Sequence, residues 1–229
     1  MDSDGLLKVL ADSDAILFDF DGPICDVFAG LPAPDVAHEL AALLQKLAPD
    51  FAAAASSTDD PMVVHQLSAQ AGEGVLDAVE AALTAAEVRA VAAAGVPTVG
   101  AAEALRAARA SGRRVAVVSN NSAECVRAYL AARSLAGVVD AVVGRPSLRP
   151  DLMKPSPHLL LEAASLLSTP VERATLIGDS VTDVLAARAA VSRSIGYANR
   201  AGKGDALRAA GADAIVFAMD DVAGALGDA

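Results

Sequence analysis

The chain has 229 residues, of which 54% are hydrophobic and 21% charged, and its formal net charge is -11. This composition excludes a disordered chain, and the acidic surface that it implies repels nucleic acid and anionic lipid. The length suits one large domain, or a core with a smaller insertion.

Cysteine usage and the N-terminus bear on the compartment. The two cysteines, Cys25 and Cys125, form no CxxC motif and are too few for a disulfide framework, which favours a reducing environment. The first residues lack the pattern of a signal peptide, and no stretch reaches the ~18 uninterrupted apolar residues of a membrane helix. We therefore expect a soluble cytoplasmic protein without nucleic-acid or membrane partners. The sequence gives no indication of the oligomeric state.

The first apolar run ends in an acidic cluster. Residues 15–22 read AILFDFDG, which predicts a buried strand followed by Asp19 and Asp21. Residues two apart in a strand point to the same face, so we expect these carboxylates close together.

A helical insertion is predicted next. Amphipathic patterns cover residues 35–47, 61–71 and 75–94, and prolines punctuate the stretch. We expect a helical cap over residues 24–95, and an α/β core formed by residues 1–23 and 96–229.

Strand and helix patterns alternate from about residue 99 onward. Apolar runs at residues 113–118, 140–143 and 174–178 each end in polar residues, and later strands are expected near 194–198 and 212–217. This alternation predicts a doubly wound parallel sheet, in which ligands bind beyond the carboxyl ends of the strands.

The polar residues after these runs suit phosphoryl transfer. Asp19, Asp21 and Asp179 would place several anions at one edge, which requires cations, and a divalent ion such as Mg²⁺ binds through carboxylates, phosphate and water. Lys154 adds a positive charge and Ser119 a hydroxyl. An ionised aspartate can act as a nucleophile, and a second carboxylic acid can protonate a leaving oxygen.

Four motifs in this order carry a family resemblance. They are DFDG at residues 19–22, VSN at 118–120, Lys154 within MKPSP, and GDSVTD at 178–183. The chain resembles the haloacid dehalogenase superfamily, in its phosphatase-like branch with a Rossmann-like core and a helical cap, which includes phosphoglycolate phosphatase-like proteins. The match covers nearly the whole chain and is weakest in the cap.

The resemblance implies a role for each motif. It implies a Mg²⁺-dependent phosphatase that acts on a small phosphorylated metabolite through an aspartyl-phosphate, with Asp19 as nucleophile and Asp21 as acid and base. Ser119, Asn120 and Lys154 would hold the phosphoryl group. Asp19, Asp179 and the Asp21 backbone carbonyl would bind Mg²⁺, with Asp183 binding it directly or through water.

The sequence leaves other functions open. Relatives commonly have Thr after the acidic motif, whereas this chain has Pro23, which removes an N–H and can alter the loop. A phosphomutase or another hydrolase on the same core, or a non-catalytic phosphate-binding protein, are the alternatives.

Individual residues also have plainer readings. Ser119 and Asn120 could cap the following helix, Lys154 could be a surface lysine, and Asp183 fits a capping box with Ser180. Solvated surface positions are expected for three arginines, and no zinc spacing is found among three histidines. These residues are Arg145, Arg149, Arg200, His38, His65 and His158.

Overall fold

The computed structural model describes residues 3–228. Its centre is a six-stranded sheet in the order β3-β2-β1-β4-β5-β6, and every neighbouring pair is parallel. The strands are β1 (Ala15–Phe18), β2 (Arg114–Val118), β3 (Ala141–Val143), β4 (Ala174–Gly178), β5 (Arg193–Tyr197) and β6 (Ala214–Val216).

Eleven helices are assigned within the described residues. They are α1 (Ser3–Ala11), α2 (Ala33–Leu47), α3 (Ala52–Ala55), α4 (Pro61–Ser68), α5 (Glu73–Ala93), α6 (Ala101–Ala110), α7 (Ala123–Ala132), α8 (His158–Leu166), α9 (Val181–Ala189), α10 (Lys203–Ala210) and α11 (Met219–Asp228). Across residues 3–228, each helix is either too short or too polar to cross a membrane.

Both faces of the sheet are covered, as the continuous apolar runs predict. Ile16 and Phe18 of β1 join an apolar cluster with residues of α1, α6, α7 and α11. Ala15 and Leu17 point to the other face, where they join residues of α8 and α9. The predicted doubly wound α/β fold is therefore confirmed.

Helices α2 to α5 lie between β1 and β2 in the chain. Most of their buried apolar residues form a cluster distinct from those of the sheet, with Val36, Leu40 and Leu83 among its members. Helix α4 begins at Pro61, and the Asp60 side chain accepts a hydrogen bond from Met62 N at 2.8 Å. Proline in the first turn and aspartate before it are favourable starts for a helix. We call residues 24–95 the helical segment.

Candidate active site

The sheet order brings three of the predicted residues to one edge. Asp19 follows β1, Ser119 follows β2 and Asp179 follows β4. Strand β1 lies between β2 and β4, and Phe18 pairs with both neighbours, so the three strands end side by side. Lys154 reaches this edge from the loop between β3 and α8.

Only one oxygen of the Asp19 carboxylate accepts hydrogen bonds from the described residues. Oδ1 accepts hydrogen bonds from Phe20 N and from Lys154 Nζ, each at 2.7 Å. Within residues 3–228 no hydrogen bond reaches Oδ2, and Asp19 lines a cavity of about 310 Å³. Burial and the neighbouring Asp183 carboxylate raise the pKa of Asp19 well above its usual value, and Lys154 opposes this shift. The geometry leaves Oδ2 available to a bound molecule.

Lys154 is buried, so the reading as a surface lysine is wrong. Its Nζ lies 2.7 Å from Asp19 Oδ1 and 2.6 Å from Asp183 Oδ1, and donates to Val118 O at 3.2 Å. Desolvation lowers the pKa of Lys154, but the Asp183 and Asp19 carboxylates outweigh it, so the net shift is upward. Lys154 therefore stays protonated and neutralises part of the acidic cluster.

Asn120 fixes the backbone of Lys154. Its Oδ1 accepts from Lys154 N at 2.8 Å, and its Nδ2 donates to Lys154 O at 3.1 Å. The alternative that Ser119 or Asn120 caps the next helix is wrong, because Ser122 is the N-cap of α7. Ser119 Oγ lies 3.1 Å from both Asn121 Oδ1 and Asn121 N, beside the cavity.

Asp21 lies just beyond the end of β1 and also lines the cavity. Its Oδ1 accepts a hydrogen bond from Val27 N at 3.0 Å. Burial raises the pKa of Asp21 to about 6, because desolvation outweighs this hydrogen bond. An acid with a pKa near neutrality can both donate and accept a proton.

A close backbone approach connects this loop to the acidic cluster. Gly22 has φ of 100°, and a Cβ at this position would lie 2.6 Å from the Asp179 carboxylate. Only glycine suits both the positive φ and the contact. Pro23 needs no N–H here, since the turn is closed by Ile24 N and Cys25 N, which donate to Phe20 O at 3.2 and 3.0 Å.

Three carboxylates form a group with the chemistry of a metal site. Asp19, Asp179 and Asp183 have oxygens that all lie within 4.8 Å of one another. Hard oxygen ligands suit Mg²⁺, so the residues fit a divalent cation. The Asp21 carboxylate lies outside this group, and its predicted contribution is a backbone carbonyl.

The two aspartates of the last motif differ in their hydrogen bonding. Asp183 Oδ2 accepts from Ser180 N at 3.0 Å and from Ser180 Oγ at 2.6 Å in a capping box, and Oδ1 contacts Lys154. Asp179 Oδ2 accepts from Asn199 and Lys203, whereas no hydrogen bond to its Oδ1 is found within residues 3–228. Asp179 is thus the better placed of the two to offer a direct ligand.

Beside the site lies a buried ion pair that the sequence did not predict, since Arg145 was expected at the solvated surface. Arg145 Nη1 donates to Glu87 Oε1 at 2.7 Å, and the two side chains are 1% and 0% exposed. Glu87 also accepts from Asn121 Nδ2 at 3.2 Å and Ser122 N at 2.9 Å. Glu87 therefore connects α5 to the loop that carries Ser119. The prediction of a solvated Arg145 is wrong, because Glu87 supplies its counter-charge inside the protein.

The other two arginines lie at the surface as expected, whereas both cysteines are buried. Arg149 pairs with Asp151 at the surface, and Arg200 is exposed. Cys25 and Cys125 are completely buried free thiols.

Comparisons with known proteins agree with this geometry. A family model described as haloacid dehalogenase-like hydrolase matches residues 13–190. A plasmid-borne phosphoglycolate phosphatase of Cupriavidus necator is 35% identical over 120 residues, covering 51% of this chain and 49% of that protein. One from Salmonella paratyphi A is 32% identical over 126 residues, covering 55% and 49%. The chain thus spans about half the length of the curated relatives it matches.

Solved structures extend the likeness to nearly the whole fold. CbbY from Rhodobacter sphaeroides in complex with phosphate has a TM-score of 0.65 and 22% identity, with 91% of this chain and 95% of that one covered. A hydrolase from Deinococcus radiodurans R1 with bound phosphate and sodium has a TM-score of 0.59 and 26% identity, with 95% and 96% covered. The family match over residues 13–190, together with the site at the sheet edge, shows that the chain belongs to the haloacid dehalogenase-like hydrolases.

Proposed function

We propose that the protein is a Mg²⁺-dependent phosphomonoester hydrolase that acts on a small phosphorylated metabolite. The observation that carries this proposal is the state of Asp19, whose Oδ1 is held by Lys154 at 2.7 Å at the wall of a cavity shared with Asp21. The relatives named phosphoglycolate phosphatase and the solved neighbours with bound phosphate support a phosphate ester as the substrate class.

The first half-reaction transfers the phosphoryl group to the protein. Asp19 Oδ2 attacks phosphorus, so that an acyl–phosphate bond forms as the ester P–O bond breaks. Asp21, as a carboxylic acid, donates its proton to the departing alcohol oxygen. The raised pKa of Asp21, about 6, makes its protonated form more available near neutral pH than that of an ordinary aspartate.

The second half-reaction restores the enzyme. The Asp21 carboxylate takes a proton from a water molecule, whose oxygen attacks phosphorus. The bond between phosphorus and Asp19 breaks, and inorganic phosphate leaves. Asp21 thus carries a proton again, and each side chain returns to its starting state.

The remaining polar residues hold the phosphoryl oxygens. The Ser119 hydroxyl and the Lys154 ammonium are the donors, and Asn120 keeps the Lys154 backbone in place. Asp19, Asp179 and the Asp21 carbonyl would hold Mg²⁺, with Asp183 in direct or water-mediated contact. When bound, the ion supplies positive charge that reduces repulsion between the carboxylates and the phosphate.

The helical segment, residues 24–95, is proposed as the cap over a core of residues 1–23 and 96–229. Phe28, Ala33 and Met62 from this segment line the same cavity as Asp19 and Asp21. A cap in this position would exclude water and contact the leaving group.

The test is hydrolysis of p-nitrophenyl phosphate with Mg²⁺ and with EDTA, by the wild type and by Asp19→Asn. Metal-dependent turnover that Asp19→Asn abolishes is expected. Asp50→Asn is the matched control, since Asp50 is an exposed aspartate that does not line the cavity. Full activity of Asp19→Asn would refute the mechanism, and a folded, metal-loaded wild type without turnover would refute the function.

A further inference from the structure

Most of the charged side chains that line the cavity are negative. Its lining includes six carboxylates, which are Asp19, Asp21, Asp59, Asp60, Asp179 and Asp183. Among the lining residues of the described chain, Lys154 is the single basic side chain. It already contacts two of the carboxylates, at 2.7 and 2.6 Å. A substrate with a second negative group would find no free cation here.

The cationic residues near the cavity are neutralised by other partners. Arg145 is paired with Glu87, and both side chains are buried. Lys203 contacts Asp179, so its charge faces a carboxylate of the site. Neither side chain belongs to the cavity lining.

The side of the cavity formed by the helical segment carries only negative charge. Its apolar contribution comes from Phe28, Ala33, Pro61 and Met62, and its charged residues are Asp59 and Asp60. The Asp60 carboxylate is the N-cap of α4, where it accepts the hydrogen bond from Met62 N. That amide is therefore already engaged within the protein. His38 lies 3.8 Å from Asp59, but both side chains are mostly exposed, which weakens this pair.

We infer that the substrate is the phosphate monoester of an alcohol without a second anionic group, with a cationic amino alcohol favoured over a neutral one. This inference rests on the proposed phosphatase function and adds the chemical class of the leaving group. Asp59 and Asp60 are exposed, so their repulsion of a carboxylate on the leaving group is screened by solvent, and we expect it to weaken binding by about fivefold. Asp59 and Asp60 therefore act as specificity-determining residues that reject carboxylated esters.

Three esters of nearly equal size provide the test: 2-aminoethyl phosphate, 2-hydroxyethyl phosphate and phosphoglycolate. Their leaving groups carry an ammonium, a hydroxyl and a carboxylate in the same place. Affinities are measured by calorimetry on Asp19→Asn with Mg²⁺, so that the result does not depend on turnover. We expect the aminoethyl ester to bind more tightly than the hydroxyethyl ester, and phosphoglycolate to bind about fivefold more weakly than the hydroxyethyl ester or worse. The difference should shrink as salt is added.

A charge-removal variant assigns the effect to the two aspartates. In the Asp59→Asn and Asp60→Asn double variant the relative affinity for phosphoglycolate should rise severalfold, and asparagine still caps α4. The control is the Asp50→Asn and Asp77→Asn double variant, which removes the same charge from exposed positions outside the cavity and should preserve the order.

The outcomes separate the two proposals. Phosphoglycolate binding as tightly as the hydroxyethyl ester, or a double variant that leaves the order unchanged, would overturn the inference. Absence of p-nitrophenyl phosphate hydrolysis with the expected binding order intact would overturn the phosphatase function and leave the charge preference of the cavity standing.

Discussion

Arg145 and Glu87 form an ion pair in which Nη1 lies 2.7 Å from Oε1 and neither side chain is more than 1% exposed. The pair connects the loop after β3, which carries Arg145, to α5, which carries Glu87. Glu87 also accepts hydrogen bonds from Asn121 and Ser122 of the loop after β2. The Glu87 carboxylate therefore links α5 to the loops that follow β2 and β3.

Removal of this carboxylate should be strongly destabilising. In Glu87→Ala the Arg145 charge stays buried without a partner, and breaking such pairs lowers the free energy of unfolding by about 3–5 kcal/mol. Urea unfolding followed by circular dichroism measures the change. The matched control is Glu39→Ala, which breaks the exposed pair with Arg89 and should change stability by about 1 kcal/mol or less. Equal effects of both substitutions would contradict the assigned role of Glu87.

Asp21→Asn should separate the two half-reactions. With alkyl phosphates the loss of the proton donor should reduce kcat by about 10²-fold or more. p-Nitrophenolate leaves without a proton, so the first step should survive while hydrolysis of the phosphorylated protein slows. Rapid-mixing experiments should then show a burst of p-nitrophenol equal to the enzyme concentration, followed by slow turnover. A variant that keeps wild-type steady-state rates on both substrates would exclude Asp21 as the acid and base.

His65 predicts a pH dependence of stability. Its ring is fully buried, with Nε2 3.0 Å from Glu80 Oε2, and desolvation together with Arg145 lowers its pKa. Below the unfolded value of about 6.5 the unfolded chain takes up a proton that the native ring resists, so the free energy of unfolding falls as the pH falls through that value. Above that value the ring is neutral in both states and contributes no such loss.

The measurement is urea unfolding of the wild type and His65→Gln at about pH 7.5 and about pH 5.5. The variant should lose less stability between these two conditions than the wild type. His38→Gln, at a position whose side chain is 62% exposed, serves as the control and should keep the wild-type difference. An unchanged difference in His65→Gln would rule out this histidine as a contributor.

The thiols of Cys25 and Cys125 should be unreactive toward thiol reagents in the native protein. Burial raises the pKa of Cys25 to about 12 and also raises that of Cys125, and both residues are 0% exposed. A thiol reacts as the thiolate, so neither should react with a chromogenic disulfide reagent until denaturant is added, when both should react. Stoichiometric labelling of the folded protein within minutes would contradict the described burial.

The sequence was sufficient for the sheet and for the order of its motifs. Strands buried on both faces, such as β1 and β4, have continuous apolar runs, and the polar residues that follow them must meet at one edge. The sequence alone therefore predicts that Asp19, Ser119 and Asp179 lie together. Lys154 was expected near this edge because it follows the apolar run at residues 140–143, whereas its role in holding the phosphoryl group came from the resemblance.

Contacts between distant elements could not be predicted in the same way. Glu87 stands on α5 between Leu83 and Val91, four residues from each, and a charge in such an apolar stripe signals a buried partner. The pattern does not say which cation fills that place, and Arg145 lies 58 residues away. The same holds for Asn199 and Lys203, which contact Asp179 from the loop after β5 and from α10.

Strand β1 has a hydrogen-bonded neighbour on each side and helices over both faces. Its amides can exchange with deuterium only when the sheet separates, so they should be among the slowest in the molecule. Asp19 is the next residue after this strand, and Asp19 N itself donates to Ile177 O at 2.8 Å. The carboxylate proposed to attack phosphorus is thus mounted on the last part of the chain to open, and heat should abolish its chemistry in the same transition that melts the sheet.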